Sequence, residues 1–310
     1  MTGQKWVRSS LRSVSDRLAE IGYAVSPPTV GRLLTHLGYS LRVNAKKLEA
    51  ASQHPDRDQQ FEYIATQRAA FSAVGRPIIS TDAKKKELIG DFKNAGKAWV
   101  REPTAVNVHD FPGDALGRAV PYGVYDVTHN RGFVCVGTSG DTPAFAADTI
   151  AAWWQADGHT TWPNTDHILV LADAGGSNNC RSRAWKERVQ TQICDRFGLT
   201  VTVCHYPTGC SKWNPIERRL FSHISHNWAG VPLRSWETML AFIRGTATAA
   251  GLTVHAIFRD AEYPTGQKVA DADMADLRIE RHAICPQWNY TIYPRIPTAN
   301  RPMTLRELVP

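Results

Sequence analysis

The sequence predicts an α/β protein: a mixed sheet with helices on its faces, preceded by a small all-α helix-turn-helix segment. Three observations predict it. From residue 77 onward, β-prone apolar runs end on acidic or turn-forming residues. From about 143, segments of helical period alternate with short apolar runs of strand length. Before residue 40, two short stripes of helical period lie in a basic stretch.

The elements follow in order. Leu11, Val14, Leu18 and Ile21 recur at helical spacing, and Gly22-Tyr23 stops that helix. Ser26-Pro27-Pro28 reads as an N-cap with proline at the first helical position. The second helix is expected to bury Val30, Leu33, Leu34 and Leu37 and to end at Gly38. Two helices across such a turn make a helix-turn-helix that would present Thr29, Arg32 and His36 to DNA. A plain αα-hairpin that serves only packing is the other reading. Residues 40–60 look like a linker, and a helix from Asp56 carries Phe61, Ile64, Phe71 and Val74 on one face until Arg76-Pro77 ends it.

After Pro77, strands are expected at 77–89, 97–101, 104–109, 119–127 and 131–138, the last two joined by His129-Asn130-Arg131-Gly132. A helix follows at 143–157, a strand at 167–172, a helix near 181–197, a strand at 199–204, and helices at 214–228 and 235–250. Antiparallel-type strands followed by helix, strand, helix, strand, helix make a ribonuclease-H-like, retroviral-integrase-type pattern. Beyond 252 come a strand (252–258), a short helix (269–276) and the run Trp288-Asn289-Tyr290-Thr291-Ile292, to which the sequence assigns no role. The expected domains are 1–42 (helix-turn-helix), 43–75 (linker and connecting helix), 76–260 (catalytic domain) and 261–310 (a tail packing on it).

Composition narrows the class. A hydrophobic fraction of 43% over 310 residues suits a globular protein, and no apolar run approaches the length of a membrane span. Met1-Thr2-Gly3-Gln4-Lys5-Trp6 lacks the apolar segment of a secretory signal. The six cysteines, without paired C-x-x-C spacing, read as reduced thiols of a cytoplasmic protein. The net charge of +7 suits a polyanionic partner. Residues 1–50 hold eight Lys/Arg (5, 8, 12, 17, 32, 42, 46, 47) against Asp16, Glu20 and Glu49, which is +5 of that total.

Three carboxylates carry the chemistry. Asp82 ends Pro77-Ile78-Ile79-Ser80-Thr81-Asp82, Asp173 ends the apolar run 167–172 before Ala174-Gly175-Gly176, and Glu217 stands where a helix opens in Asn214-Pro215-Ile216-Glu217. Two strand-end carboxylates and one helix carboxylate can converge on two divalent cations, Mg²⁺ or Mn²⁺, with Asp82 shared between them. Such a site cleaves phosphodiesters. Blander readings exist for each: Asp82 as the polar end of a strand, Asp173 as a turn former, and Glu217 as N3 of a capping box whose N-cap is Asn214. Asp126, at the end of another strand, is a rival whose context reads better as the approach to a hairpin.

Around the triad, Lys84, Lys85, Lys86, Lys212, Arg218 and Arg219 would form a cationic rim for the DNA backbone, or else ordinary surface charge. Trp213 could stack on a displaced base or pack beneath its helix. Cys204, His205 and Cys210 lack the second close pair that a zinc site needs. His205 reads instead as a residue supporting the site or touching phosphate, and Asn214 as a supporting residue.

At this point the sequence resembles a known family. Ser80-Thr81-Asp82-Ala83-Lys84-Lys85-Lys86-Glu87, Gly90-Asp91-Phe92-Lys93-Asn94, Val108-His109-Asp110-Phe111 and Pro121-Tyr122-Gly123-Val124-Tyr125-Asp126 resemble blocks of bacterial insertion-sequence DDE transposases of the ISAzo type. So do Ala172-Asp173-Ala174-Gly175-Gly176-Ser177-Asn178 and Ser211-Lys212-Trp213-Asn214-Pro215-Ile216-Glu217, and the match runs from about residue 5 to 295. The resemblance implies that Asp82, Asp173 and Glu217 are the metal-binding catalytic residues. It implies cleavage at element ends and transfer of a 3′ hydroxyl into target DNA. It also implies double-stranded DNA as partner, a homo-oligomer on DNA, a bacterial cytoplasmic, nucleoid-associated location, and no membrane or small-molecule substrate. Two departures stand out: the chain resembles a copy shortened at its N-terminal side, and Pro215 stands where a basic residue is more usual. A shortened, catalytically inactive DNA-binding relic that inhibits transposition is the alternative function.

Overall fold

Two short helices open the described part of this computed structural model, which covers residues 10–40 and 54–295. They belong to the first of two compact units, Met1–Glu49; the second is Ala50–Pro310. Helix α1 (Leu11–Glu20) is capped by Ser10, whose hydroxyl accepts from the Ser13 N–H at 3.1 Å. Helix α2 (Pro27–His36) begins on two prolines, where no intrahelical donor is needed. Both end on a glycine in the left-handed region, Gly22 (φ 92°) and Gly38 (φ 81°), the conformation that closes a helix without a Cβ clash. Burial falls short of the expected stripes. Val30 is buried and Val14, Leu18 and Leu34 are half-buried, but Leu11, Ile21, Leu33 and Leu37 are exposed. Two ten-residue helices meet along a single narrow contact, too small to cover both apolar stripes.

The second unit is built on one sheet. In chain order it comprises α3 (Arg57–Ala73), β1 (Ile78–Ala83), β2 (Glu87–Ile89), β3 (Gly117–Asp126), β4 (Arg131–Gly137), α4 (Pro143–Trp153), α5 (His159–Thr161) and β5 (His167–Asp173). Then come α6 (Arg183–Val189), β6 (Thr200–Tyr206), α7 (Ser222–Asn227), α8 (Trp236–Arg244), β7 (Thr253–Arg259), α9 (Asp271–Ala275), β8 (Ile279–Arg281) and β9 (Asn289–Ile292). Wider π-helical turns join α4 to α5 (Trp154–Gly158), extend α6 (Gln190–Asp195) and lead into α7 (Glu217–Phe221).

The strand order is β7-β4-β3-β1-β5-β6-β9-β8, with β2 paired to β3. β3 runs antiparallel to β1 and β4, while β5 is parallel to β1 and β6 parallel to β5. An antiparallel trio continued by parallel strands is the ribonuclease-H-like arrangement, a mixed α/β sheet. Its central strands are apolar on both faces because helices cover both. On one face Ile79, Tyr122, Phe133, Phe145, Ile150, Val170 and Trp185 form the largest core, beneath α4 and α6. On the other, Ile216, Leu220, Phe221, Ile224, Met239 and Ile243 pack on β3, β4 and β7, and α3 sends Ile64 and Phe71 against Ile78, Leu169 and Leu171.

Several expectations need correction. Residues 97–101 and 104–109 form no strand; they lie in a long loop between β2 and β3 in which Trp99, Val108 and Phe111 are exposed. Their β-prone side chains find no neighbouring strand, and Pro103 and Pro112 interrupt them. The loop is pinned by a close approach: Gly96 lies so near Ala229 that a Cβ would sit 2.7 Å from that residue's methyl. The expected strand 77–89 is two strands, and the helix expected over 235–250 stops at Arg244. Val74 is exposed, not part of the buried face of α3. The run beyond 252 supplies both edges: β7 pairs parallel with β4, and β9 pairs antiparallel with β6 and carries β8 as the outermost strand. All six cysteines are free and buried. Among the described residues no helix is long and apolar enough to cross a membrane.

Candidate active site

The register of the two central strands brings the aspartates together. Thr81 of β1 pairs with Ala172 of β5, so one residue further along these parallel strands Asp82 and Asp173 stand side by side. Asp126, in contrast, registers with Ile79, toward the other end of β1. It is a turn anchor there: its buried carboxylate accepts from the Thr128 and His129 backbone N–H groups and from the Trp162 indole at 2.9–3.0 Å.

Glu217 reaches the same place because the sheet beneath its helix is stripped of side chains. A Cβ at Gly123, the register partner of Asp82, would lie 2.7–2.9 Å from Phe221 and Ile216, and one at Gly132 2.5 Å from Leu220. Those glycines let the Glu217–Phe221 turn lie directly on β3 and β4. Its N-terminus is held from below by a residue that the sequence reading did not single out. The Ser80 hydroxyl accepts from the Ile216 N–H at 3.0 Å and donates to Asn214 Oδ1 at 2.5 Å. The capping box that was the bland alternative for Glu217 is therefore not formed by Asn214. Its side chain turns away and donates through Nδ2 to the Thr81 carbonyl (3.2 Å) and to Asp173 Oδ1 (3.1 Å). One fully buried amide thus ties together β1, the Glu217 helix and the Asp173 carboxylate.

The three carboxylates strain one another electrostatically. Burial, then repulsion from Asp173 and Glu217, pushes Asp82 up to about 8, although its Oδ1 accepts from the Ala83 N–H at 2.8 Å. Burial and Glu217 raise Asp173 to about 6 against the relief given by Asn214. Burial raises Glu217 too, offset by Lys84 and by an Asp82 carboxyl near enough to share a hydrogen bond. Three acids that resist ionisation together form a site that a divalent cation would relieve. Among the described residues no three His, Cys, Asp or Glu side chains surround one common point as ligands of a single ion. A shared Asp82 with one further carboxylate per ion asks for only two on each.

The other expected site residues separate into groups. Lys84 is turned inward: its side chain is 9% exposed, 3.7 Å from Glu87, 4.7 Å from the Trp228 ring and close enough to Glu217 to ease its ionisation. Lys85 (82% exposed) and Lys86 point to solvent, as do Lys212 and Arg218. Trp213 is not packed beneath its helix. It is 44% exposed, edge-on to Phe61, with Lys212 Nζ and Arg218 Cζ 5.7 and 5.9 Å from its ring. His205 is wholly buried, so the expected alternative of a phosphate contact is closed to it. Nδ1–H donates to the Asp173 carbonyl (2.9 Å) and Nε2 accepts from the Tyr290 hydroxyl (3.0 Å), a neutral imidazole whose pKa burial lowers to about 4. In the first unit, Thr29 and Arg32 are neighbours on α2, joined by a 3.1 Å hydrogen bond, and Arg32 is exposed.

The chain is also similar to known proteins. Solved structures similar to the chain include the Mos1 transposase paired-end complex with left transposon end (14% identity over 77% of this chain and 70% of that one, TM-score 0.44). The Mos1 strand transfer complex (14%, 77% and 70%, TM-score 0.45) and the mariner Mos1 paired-end complex with Mg (14%, 77% and 71%, TM-score 0.46) are similar to the same extent. Among curated proteins none matches. Residues 1–294 match the family described as Rhodopirellula transposase DDE domain, so the chain belongs to this ISAzo13-type family of DDE transposases.

Proposed function

We propose that the chain is an active DDE transposase that cleaves insertion-sequence ends and joins them to target DNA, with Asp82, Asp173 and Glu217 as the catalytic carboxylates. The observation that carries this reading is their convergence from β1, β5 and the Glu217 turn into one mutually repelling cluster. Two Mg²⁺ or Mn²⁺ ions fit that cluster: its donors are hard oxygens, and positive charge removes the repulsion. Asp82 would be shared between the ions, with Asp173 completing one shell and Glu217 the other. Bound there, the ions would activate the attacking oxygen and stabilise the leaving one.

The chain's own residues do the rest. Asn214 orients the Asp173 carboxylate, Ser80 fixes the start of the Glu217 helix, and Lys84 balances the negative charge beside Glu217. His205, beneath the Asp173 carbonyl, supports the end of β5. Lys85, Lys86, Lys212 and Arg218 would hold the DNA backbone, and Thr29 and Arg32 would meet duplex DNA from α2. Water cleaves one P–O bond at the element end and leaves a 3′ hydroxyl. That hydroxyl then attacks a target phosphodiester in line, forming one P–O bond as another breaks. Double-stranded DNA is the partner, a homo-oligomer on DNA the working form, and the bacterial cytoplasm, at the nucleoid, the location.

The test is incubation of the chain with DNA carrying the flanking element ends and Mn²⁺. Joined products support a transposase, and cleavage without joining would make it a nuclease. DNA binding with neither would leave the non-catalytic inhibitor.

A further inference from the structure

Every buried side-chain polar atom that lacks a well-formed hydrogen bond, among the described residues, belongs to one of five residues: Thr81 and Tyr122, whose hydroxyls lie near enough to interact with each other, and Asp141, Ser177 and Asn178. They come from elements that meet beside the catalytic cluster. Thr81 precedes Asp82 on β1, Tyr122 lies opposite Ala83 on β3, and Asp141 directly precedes the Thr142 cap of α4. Ser177 and Asn178 form the turn after Asp173 (Gly176–Asn178), which packs on β1 and α4. Thr81, Tyr122 and Asn178 are fully buried and Ser177 nearly so. Orphaned groups this deep are rare, and when they gather they mark an ion or waters that complete them.

Asp141 is the charged member, and its backbone is held firmly. Thr138 donates to Asp260 and Ser139 to the Ala261 carbonyl, both at 2.9 Å. The Tyr263 N–H donates back to Ser139 at 3.0 Å, and Gly140 lies so close to the Tyr263 carbonyl that no side chain would fit. The pinned loop leaves Asp141 Oδ1 buried with no donor, and its charge is felt by both Asp82 and the Tyr122 hydroxyl. Asp141 as a whole is half-buried, and among the described residues no salt bridge reaches it.

We propose that Asp141 is a fourth acidic group of the divalent-cation site, and that Thr81, Tyr122, Ser177 and Asn178 hydrogen-bond the waters that the cation carries. The inference rests on the catalytic reading of Asp82. A cation held by Asp82 carries waters, one of which donates to the orphaned Asp141 oxygen. These waters, which donate and accept, satisfy both the hydroxyls and the Asn178 amide.

The test is calorimetric titration of Mn²⁺ into the full chain at pH 7.5, beside Asp141→Asn, Tyr122→Phe, Asp82→Asn and the exposed control Asp114→Asn. Asp141→Asn is expected to weaken binding about 10- to 100-fold. Tyr122→Phe should weaken it by a smaller factor, and Asp114→Asn should bind as wild type. Wild-type affinity in Asp141→Asn, with Asp82→Asn impaired, would overturn the fourth-carboxylate inference alone. Wild-type affinity in Asp82→Asn as well, or no binding by the wild type, would remove the catalytic reading together with it. Should Asp141→Asn fail to fold, Tyr122→Phe decides, read additionally as the Mn²⁺-induced rise in melting temperature: a rise equal to wild type counts against the inference.

Discussion

Two buried polar regions flank β5 and β6, and they are built on opposite principles. On one side, Gln60 of α3 donates to the His205 carbonyl (2.9 Å) and to Asn289 (2.8 Å), and Asn289 donates back to Gln60 and to the Ile284 carbonyl. The Trp185 indole donates to Tyr290, whose hydroxyl donates to His205, whose other nitrogen donates to the Asp173 carbonyl. Each donor in these contacts meets an acceptor. On the other side, Asp82, Asp173 and Glu217 repel one another, with orphaned hydroxyls and an orphaned amide around them. The satisfied network stabilises the fold and leaves nothing for a ligand to do. The unsatisfied cluster costs stability and becomes favourable only when positive charge arrives.

Variants can break that contrast, beginning with the largest effect. Asp82→Asn should reduce metal-dependent cleavage to background while the melting temperature stays level or rises, since a repelling, desolvated carboxylate is gone. Gly123→Ala should push the Phe221 and Ile216 side chains off the sheet, cost about 1–3 kcal/mol of stability, and lower cleavage by about 10²-fold through misplacement of Glu217. Denaturant unfolding and single-turnover kinetics measure the two parts. Gln60→Ala should do the reverse of Asp82→Asn: about 1–3 kcal/mol of stability lost from the satisfied network, with cleavage per folded molecule retained.

A smaller effect is pH-dependent. Asp82 and Asp173 hold protons in the folded, metal-free chain up to about 8 and about 6, whereas in the unfolded chain both ionise near the ordinary value of 3.8. Across that window the folded state binds more protons, so metal-free stability should fall as pH rises toward 8. Cation binding must displace those protons, so Mn²⁺ should bind more tightly at pH 8 than at pH 6 and raise the melting temperature more there. Melting curves with and without Mn²⁺ at the two pH values check the sign.

Much of this was legible in the sequence, and the exceptions share a cause. Asp82 and Asp173 could be read because an aspartate after a β-prone run is unusual locally, and the order of strands and helices follows from hydrophobic period. Asn214 reads as a supporting residue; the alternative of a capping box fits the local pattern, but a serine 134 residues away on β1 takes the capping contact. Asp141 gave no local signal in Thr138-Ser139-Gly140-Asp141-Thr142, a stretch that reads as a polar turn. Lys84 looks like Lys85 and Lys86 in sequence, yet it packs inward against Glu87 and the Trp228 ring while they face solvent. The 97–109 segment has β propensity but no partner strand, and the outer strands β7 and β9 depend on pairings that no local window contains.

The most direct measurement is Mn²⁺-dependent nicking of element-end DNA by wild type, Asp82→Asn and Gln60→Ala, with melting temperatures taken on the same preparations. The expected result is no nicking by Asp82→Asn at an undiminished melting temperature, and nicking by Gln60→Ala, per folded molecule, at a lowered one. Nicking by Asp82→Asn at the wild-type rate, or its loss in Gln60→Ala with the fold intact, would contradict the assignment of chemistry to the unsatisfied cluster and of structure to the satisfied network.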